Sequence, residues 1–310
     1  MRSLACCVGR SISCCYRSLT ACGCVSACVR VLFHALTDQG ESNAGQFNDY
    51  AKQMRDLIAG WRRNWESPPA LQNFTFIEHQ LSAYSGKEGD VSGLRWSQQG
   101  AVSPWADSTL TGGNVAMTVG IDLSDPSSPC GNVHIRNKTV VAERMALAAR
   151  HFAYGHDIKY TGPVAQSFAM SSEGIEITFS GATPPLDFRT IAQTTNASQQ
   201  GFELMYAAAS ADSSGGGGSN NTTAGEWVAT EASVVEGGAR VLVALPADGG
   251  GKLRPPPLAL RYAWRSIPST QLLYDATPVG GGYSGLPAPP FFASCTFTTR
   301  HRYTDTIHEF

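Results

Sequence analysis

The sequence predicts an α/β fold in which a parallel sheet with helices is followed by a β-rich, sandwich-like region. Three observations predict it. Between residues 29 and 160, apolar runs alternate with segments of helical period in the order strand, helix, strand, strand, helix, the pattern of a sheet layered with helices. Beyond Gly162-Pro163 the helical period stops and short alternating runs replace it, as in antiparallel β structure. The composition agrees: 310 residues with 42% hydrophobic, only 15% charged, 32 Gly and 17 Pro suit strands and turns better than coiled coil or disorder.

Taken in order, VRVLFHAL at 29–36 is β-branched and apolar, a buried strand expected to end before Thr37-Asp38-Gln39-Gly40. Phe47, Tyr50, Met54, Leu57, Ile58, Trp61 and Trp65 then recur every three or four positions, an amphipathic helix closed by Pro68-Pro69. Phe74-Thr75-Phe76-Ile77 is a short apolar run, and the stretch containing Leu94-Arg95-Trp96 reads as Gly-rich and polar. Residues 115–121 form the next strand, ending at Asp122. A second helix starts near Asn137, whose side chain is expected to cap it; it carries Val141, Met145, Ala148 and Phe152 on one face and stops at Gly155. Strands are expected near 174–179, 227–232, 239–245 and 258–263, with a Gly/Ser-rich loop at 213–225. The expected organisation is therefore a Cys-rich leader at 1–28 outside the fold, an α/β part at 29–160 and a β-sandwich-like part at 161–310.

Charge and motif exclude several functions. Lys plus Arg is 23 against 25 Asp plus Glu, so no basic excess exists to neutralise a phosphate backbone, and no nucleic-acid partner is expected. Arg2, Arg10, Arg17 and Arg30 interrupt the apolar start, so membrane insertion is not expected and a secretory signal is poorly formed. Seven of the nine cysteines precede residue 29, in the spacings CC, CC, C-x-C and C-x3-C without a paired C-x2-C, which argues against a metal site. H-E-x-x-H, G-x-S-x-G, G-x4-G-K-[ST] and a G-x-G-x-x-G after a strand are all missing.

Polar residues instead cluster where strands should end: Gln39-Gly40-Glu41-Ser42-Asn43, and 132–138 with His134. Loops at the carboxyl ends of strands build the site of an open α/β sheet. Five stretches, QGESNAG at 39–45, QLSAY at 80–84 with LRWSQQ at 94–99, the long block at 127–155, LALRYAW at 258–264 and LPAPPFFA at 286–293, give the chain its resemblance to the sialate O-acetylesterases. These are SGNH-type carbohydrate esterases that remove acetyl esters from sialic acids with a serine nucleophile and a histidine base. The resemblance implies a partial SGNH-hydrolase-like parallel sheet, a small acetylated sugar as partner, no cofactor, and a secreted or lysosomal setting. His134 matches the family's histidine by position in the block.

The chemistry suits these residues. A serine hydroxyl needs a base, and histidine titrates near neutrality. The oxyanion formed on an acetyl carbonyl needs fixed donors, which Gln39, Asn43 or the Gly40 N–H can supply. Glu41 is expected to orient His134 or bind substrate; Asp122 and Asp125 are alternative orienting acids, since Gly131 stands three positions before the histidine. Arg136 and Lys138 read as solvated residues of a helix start, with binding of the sialate carboxylate as the alternative, and His79 as a packing or loop residue. The family's Gly-Gln-Ser-Asn nucleophile motif does not occur, so the chain reads as amino-terminally truncated, with Ser42 as a substitute nucleophile or with an inactive, carbohydrate-binding remnant as the alternative.

Overall fold

The computed structural model describes residues 34–64, 74–87, 89–101, 114–191, 200–207, 225–248, 250–251, 254–268, 271–278 and 285–295. The expected leader at 1–28, Trp65, Pro68-Pro69 and most of the Gly/Ser-rich loop lie outside them. His34–Asp38 (β1), Thr75–His79 (β2) and Val115–Thr118 (β3) pair in parallel in the order β1-β2-β3. All five residues of β2 are buried, as required of a central parallel strand covered on both faces. The first strand thus runs two residues further than the sequence suggests, because its ladder continues to Asp38 opposite His79.

Helix α1, Phe47–Asn64, follows a 3-10 turn at Glu41–Gln46. Its buried stripe is Tyr50, Met54, Ile58 and Arg62, spaced by four, while Leu57 and Trp61 sit at its border and are partly exposed. Arg62 belongs to this apolar face because it donates to the Phe74 carbonyl at 2.8 Å and lies over the Phe74 ring.

The stretch read as Gly-rich and polar is a helix, α2, at Asp90–Ala101. Gly93 is where α2 meets α1: a Cβ there would lie 2.8 Å from the Phe47 ring. The helix is buried on several sides and uses Arg95, Gln98 and Gln99 as internal donors, so it shows no simple apolar stripe. The third helix, α3 at Lys138–Phe152, forms as expected and ends with Gly155 at φ 68, its N–H reaching the His151 carbonyl at 3.1 Å. Its start is not capped by the Asn137 side chain.

The two faces of the parallel sheet are covered separately. Phe76, Val115 and Met117 pack with Tyr50, Met54, Ile58 and Leu94 of α1 and α2, whereas Ile77 and Ala116 pack with Val141, Met145 and Ala148 of α3.

After Pro163 the strands are antiparallel: Val164–Met170 (β4), Gly174–Ser180 (β5), Asp187–Thr190 (β6), Phe202–Tyr206 (β7), Glu226–Thr230 (β8), Ala232–Val234 (β9), Arg240–Ala244 (β10), Ala259–Tyr262 (β11), Gln271–Tyr274 (β12) and Phe291–Ser294 (β13). They form sheets β4-β5-β10-β9, β13-β11-β7-β8 and β12-β6. Ile175, Ile177, Val241 and Val243 of the first share one buried cluster with Phe202, Leu204, Leu260 and Tyr262 of the second. Val119 and Ile121, just after β3, enter the same cluster. Arg95, completely buried, donates to the carbonyls of Leu81, Ser82, Arg265 and Ser266 at 2.8–3.0 Å, so the loop after β2 and the loop after β11 share one guanidinium. Among the described residues no helix is long and apolar enough to cross a membrane.

Candidate active site

Three loops leave the carboxyl ends of β1, β2 and β3 and meet at one edge of the sheet. Lys138, at the start of α3, pairs with Asp38 at the end of β1 at 2.7 Å. Ala83 bridges Ser124 in parallel, and Asn132 Nδ2 donates to the Ser85 carbonyl at 3.3 Å. Val133 packs against the same apolar cluster as Ala44. The loop bearing His134 and the Gln39–Asn43 turn are therefore held on the same side of the sheet, by side chains on either flank of each.

The turn is shaped by Gly40, buried at φ 139, a backbone conformation that strains any L side chain. A Cβ there would stand 3.3 Å from Leu94 Cδ2 and 3.4 Å from the Tyr50 hydroxyl. The Asn43 N–H donates to the Gly40 carbonyl at 2.7 Å, opening the 3-10 turn. Gln39 Nε2 donates to Asn43 Oδ1 at 3.0 Å, so the two amides proposed as donors bond each other. Glu41 is half-buried and Ser42 exposed.

Beneath the turn lies a network that sequence reasoning missed. Tyr50 Oη stands 2.7 Å from Glu78 Oε1 and 2.8 Å from Gln39 Oε1, and Gln98 Nε2 reaches Glu78 Oε1 at 3.1 Å and the Gln39 carbonyl at 3.2 Å. Burial pushes the Glu78 carboxyl up to about 7, partly opposed by hydrogen bonds from Tyr50 and Gln98. His79, also completely buried, sets Nδ1 2.8 Å from Thr118 Oγ1 and is lowered to about 4 by desolvation. A Cβ at Gly120 would fall 2.4 Å from His79 Nε2, so only glycine fits beside that ring. The available signal was two adjacent ionisable residues, Glu78-His79, at the end of an otherwise apolar strand run.

His134 is exposed in the loop before α3, its backbone N–H bonded to the Gly131 carbonyl at 3.0 Å. Among the described residues its imidazole makes no hydrogen bond, to Glu41 or to any other acid. The two alternative orienting acids are taken by arginines. Asp122 forms a bidentate pair with Arg144, both distances 2.6 Å, and accepts from the Tyr274 hydroxyl at 2.7 Å. Asp125 holds Arg136 at 2.6 and 2.7 Å and also accepts the Arg136 N–H, so its carboxyl is held well below the usual range. Arg136 and Lys138 are exposed, as read from the sequence, and each also carries an ion pair. Among the described residues, no group of three or more His, Cys, Asp or Glu side chains gathers as a metal site.

A cleft of about 340 Å³ opens beside this loop, lined among others by Asp125, Ile135, Arg136, Asn137, Ile191, Ile267 and Pro268. Its volume lies in the range of small-molecule sites.

No family model matches the chain. It is 28% identical over 266 residues to the sialate O-acetylesterase of Rattus norvegicus, covering 83% of this chain and 43% of the relative. The corresponding protein of Homo sapiens is again 28% identical over 266 residues, with 45% of its length covered. The chain thus spans less than half the length of the curated relatives it matches. Among solved structures, a carbohydrate acetylesterase from Xanthomonas citri aligns with TM-score 0.55 and 24% identity over 83% of this chain and 49% of the other, which supports the shared fold. The ordered sequence blocks, the strand-end loops and these matches agree: over most of its length the chain is similar to the sialate O-acetylesterases.

Proposed function

We propose that the chain forms the base-and-donor portion of a carbohydrate acetylesterase site, acting on acetyl esters of sialic acids or related sugars. The observation that carries the reading is sequence similarity to sialate O-acetylesterases along 83% of the chain, together with convergence of the loops bearing His134 and Gln39–Asn43 at one sheet edge. In this reading His134 is the general base, exposed to an incoming substrate. The Asn43 amide N–H and the Gly40 N–H face the acetyl oxygen as charge develops on it, and Gln39, bonded to Asn43, holds that amide in place. Glu41 borders the substrate. The cleft lined by Arg136 and Ile267 seats the sugar, its isoleucine and proline side chains against the ring and its polar side chains against the hydroxyls. The organisation that goes with this is an SGNH-like α/β unit over 29–160 and a sandwich-like unit over 161–310, supported by the change from parallel to antiparallel pairing after Pro163.

The test is acetate release from a 9-O-acetylated sialoside or an aryl acetate by the purified chain, alongside His134→Ala. Loss of a positioned base is expected to lower turnover by about 100-fold or more. Equal rates in both proteins would remove His134 from its role. A fluorophosphonate probe, followed by peptide mapping, identifies the serine attacked; labelling at Ser42 would make it the nucleophile. Sialoside binding without acetate release would replace the hydrolase with a binding remnant.

A further inference from the structure

The Tyr50 hydroxyl faces more acceptors than its one proton can serve. Its oxygen lies 2.7 Å from Glu78 Oε1, 2.8 Å from Gln39 Oε1 and 3.2 Å from the Gln39 carbonyl. All three only accept when the carboxyl is ionised. Gln98 cannot rearrange to help, since its Oε1 takes the Leu81 N–H at 3.0 Å while its Nε2 serves Glu78 and the Gln39 carbonyl. With Gln39 Nε2 donating to Asn43 Oδ1, the donors balance along the chain of side chains in one way. Glu78 carries a proton on Oε1 and gives it to Tyr50, Tyr50 gives its own to Gln39 Oε1, and Gln39 gives an amide proton to Asn43. The Asn43 Nδ2 hydrogens are then left for the site.

Ionising Glu78 reverses the pattern. The phenol proton goes to the carboxylate as a charge-assisted bond, and Gln39 Oε1 is left against a bare oxygen. Rotating both amides restores the match: Gln39 Nε2 donates to Tyr50, Asn43 Nδ2 donates to Gln39 Oε1, and Asn43 now turns its oxygen outward. We propose that Glu78 is a positioning residue whose proton sets, through Tyr50 and Gln39, whether Asn43 presents N–H or oxygen at the candidate site. The catalytic consequence rests on the function proposed above, because only the N–H form can stabilise an oxyanion; the wiring does not depend on it.

The surroundings support a proton on Glu78 within the physiological range. Glu78 Oε2 is buried and has no hydrogen-bond partner among the described residues, a costly position for an ionised carboxylate. Burial moves this carboxyl up to about 7, while burial and the neighbouring Glu78 charge push the Tyr50 phenol far above its ordinary value, so Tyr50 stays protonated. No neighbouring element brings Glu78 a cation among the described residues. Asp38 of β1 is paired with Lys138, Glu41 of the 3-10 turn is acidic, His79 of β2 is kept neutral by burial, and Arg95 of α2 donates to backbone carbonyls. Opposite Glu78 on β1 and β3 stand Thr37 and Met117, both uncharged.

The experiment is a side-chain NMR titration of the whole chain from about pH 5 to about pH 9, following Glu carboxyl carbons and Gln and Asn amide groups. The Gln39 and Asn43 amide signals are expected to shift with the same midpoint as the Glu78 carboxyl. Glu78→Gln should abolish that shift, and Tyr50→Phe should leave Glu78 titrating while Gln39 and Asn43 stay constant. Amides that ignore the Glu78 titration, or a shift that persists in Glu78→Gln, overturn the proposal. Should a variant fail to fold, coincidence or divergence of the wild-type midpoints decides alone. Acetate release is scored separately, so a silent enzyme with coupled amides rejects only the esterase reading.

Discussion

Glu78 and His79 are adjacent, both completely buried, and titrate in opposite senses. Glu78 rises from an ordinary 4.5 to about 7, so between those values the folded protein holds a proton that the unfolded chain has lost, and stability falls as pH rises. His79 drops from an ordinary 6.5 to about 4, so the unfolded chain binds a proton that the folded protein refuses, and stability rises with pH over that window. Each slope is worth about 1.4 kcal/mol per pH unit, and across roughly pH 4.5 to 6.5 they oppose each other. Glu78→Gln removes the falling limb and exposes the other. Urea unfolding of this variant should show stability rising over that window where the wild type changes little; a flat profile in the variant would discard the assignment of His79.

The elements add a packing constraint. Gly93 lets α2 approach α1 with the Phe47 ring against the helix backbone, its ring atoms 2.8–2.9 Å from where a Cβ would stand. Gly93→Ala gains about 1 kcal/mol of helix propensity but loses about 1–3 kcal/mol to overpacking, so a net fall in melting temperature is expected. Trimming the ring in the double variant Gly93→Ala, Phe47→Leu should recover part of the loss, which a double-mutant cycle measures. Because α1 carries Tyr50 and α2 carries Gln98, the same contact sets the spacing of the two groups that hold the Gln39–Gly40 turn.

At the scale of the whole molecule, buried polar ties join the parallel and antiparallel parts. Arg144 on α3 pairs with Asp122 after β3, which also accepts from Tyr274 on β12; both charged side chains are under 10% exposed. Arg144 holds the Asp122 carboxyl below its ordinary range against the cost of burial. Arg144→Met strands that carboxylate and should cost about 3–5 kcal/mol in chemical unfolding, whereas Tyr274→Phe, losing one hydrogen bond to a charged group, should cost about 1.5–3 kcal/mol. The depressed carboxylate stabilises the fold above its unfolded pKa, and that stabilisation is lost as pH falls through its folded value. Similar losses in the two variants would contradict the pairing.

What the sequence by itself determined follows from local periodicity. The four-residue spacing of Tyr50, Met54 and Ile58, the face of Val141, Met145 and Ala148, the Gly155 stop and the apolar strand runs announced α1, α3, the parallel strands and the antiparallel strands β5, β8, β10 and β11, and the ordered blocks announced the resemblance to sialate O-acetylesterases. Helix α2 escaped because its glycines serve a neighbouring helix and its buried residues include Arg95, Gln98 and Gln99. The candidate turn was visible, its support was not. Only the tertiary structure brought Glu78 under Gln39, gave Asp122 to Arg144 and Asp125 to Arg136, and left His134 exposed. Periodicity records which face of an element is buried; the pairing of polar groups far apart in the chain is decided by topology, through the cost of leaving any one of them buried without a partner.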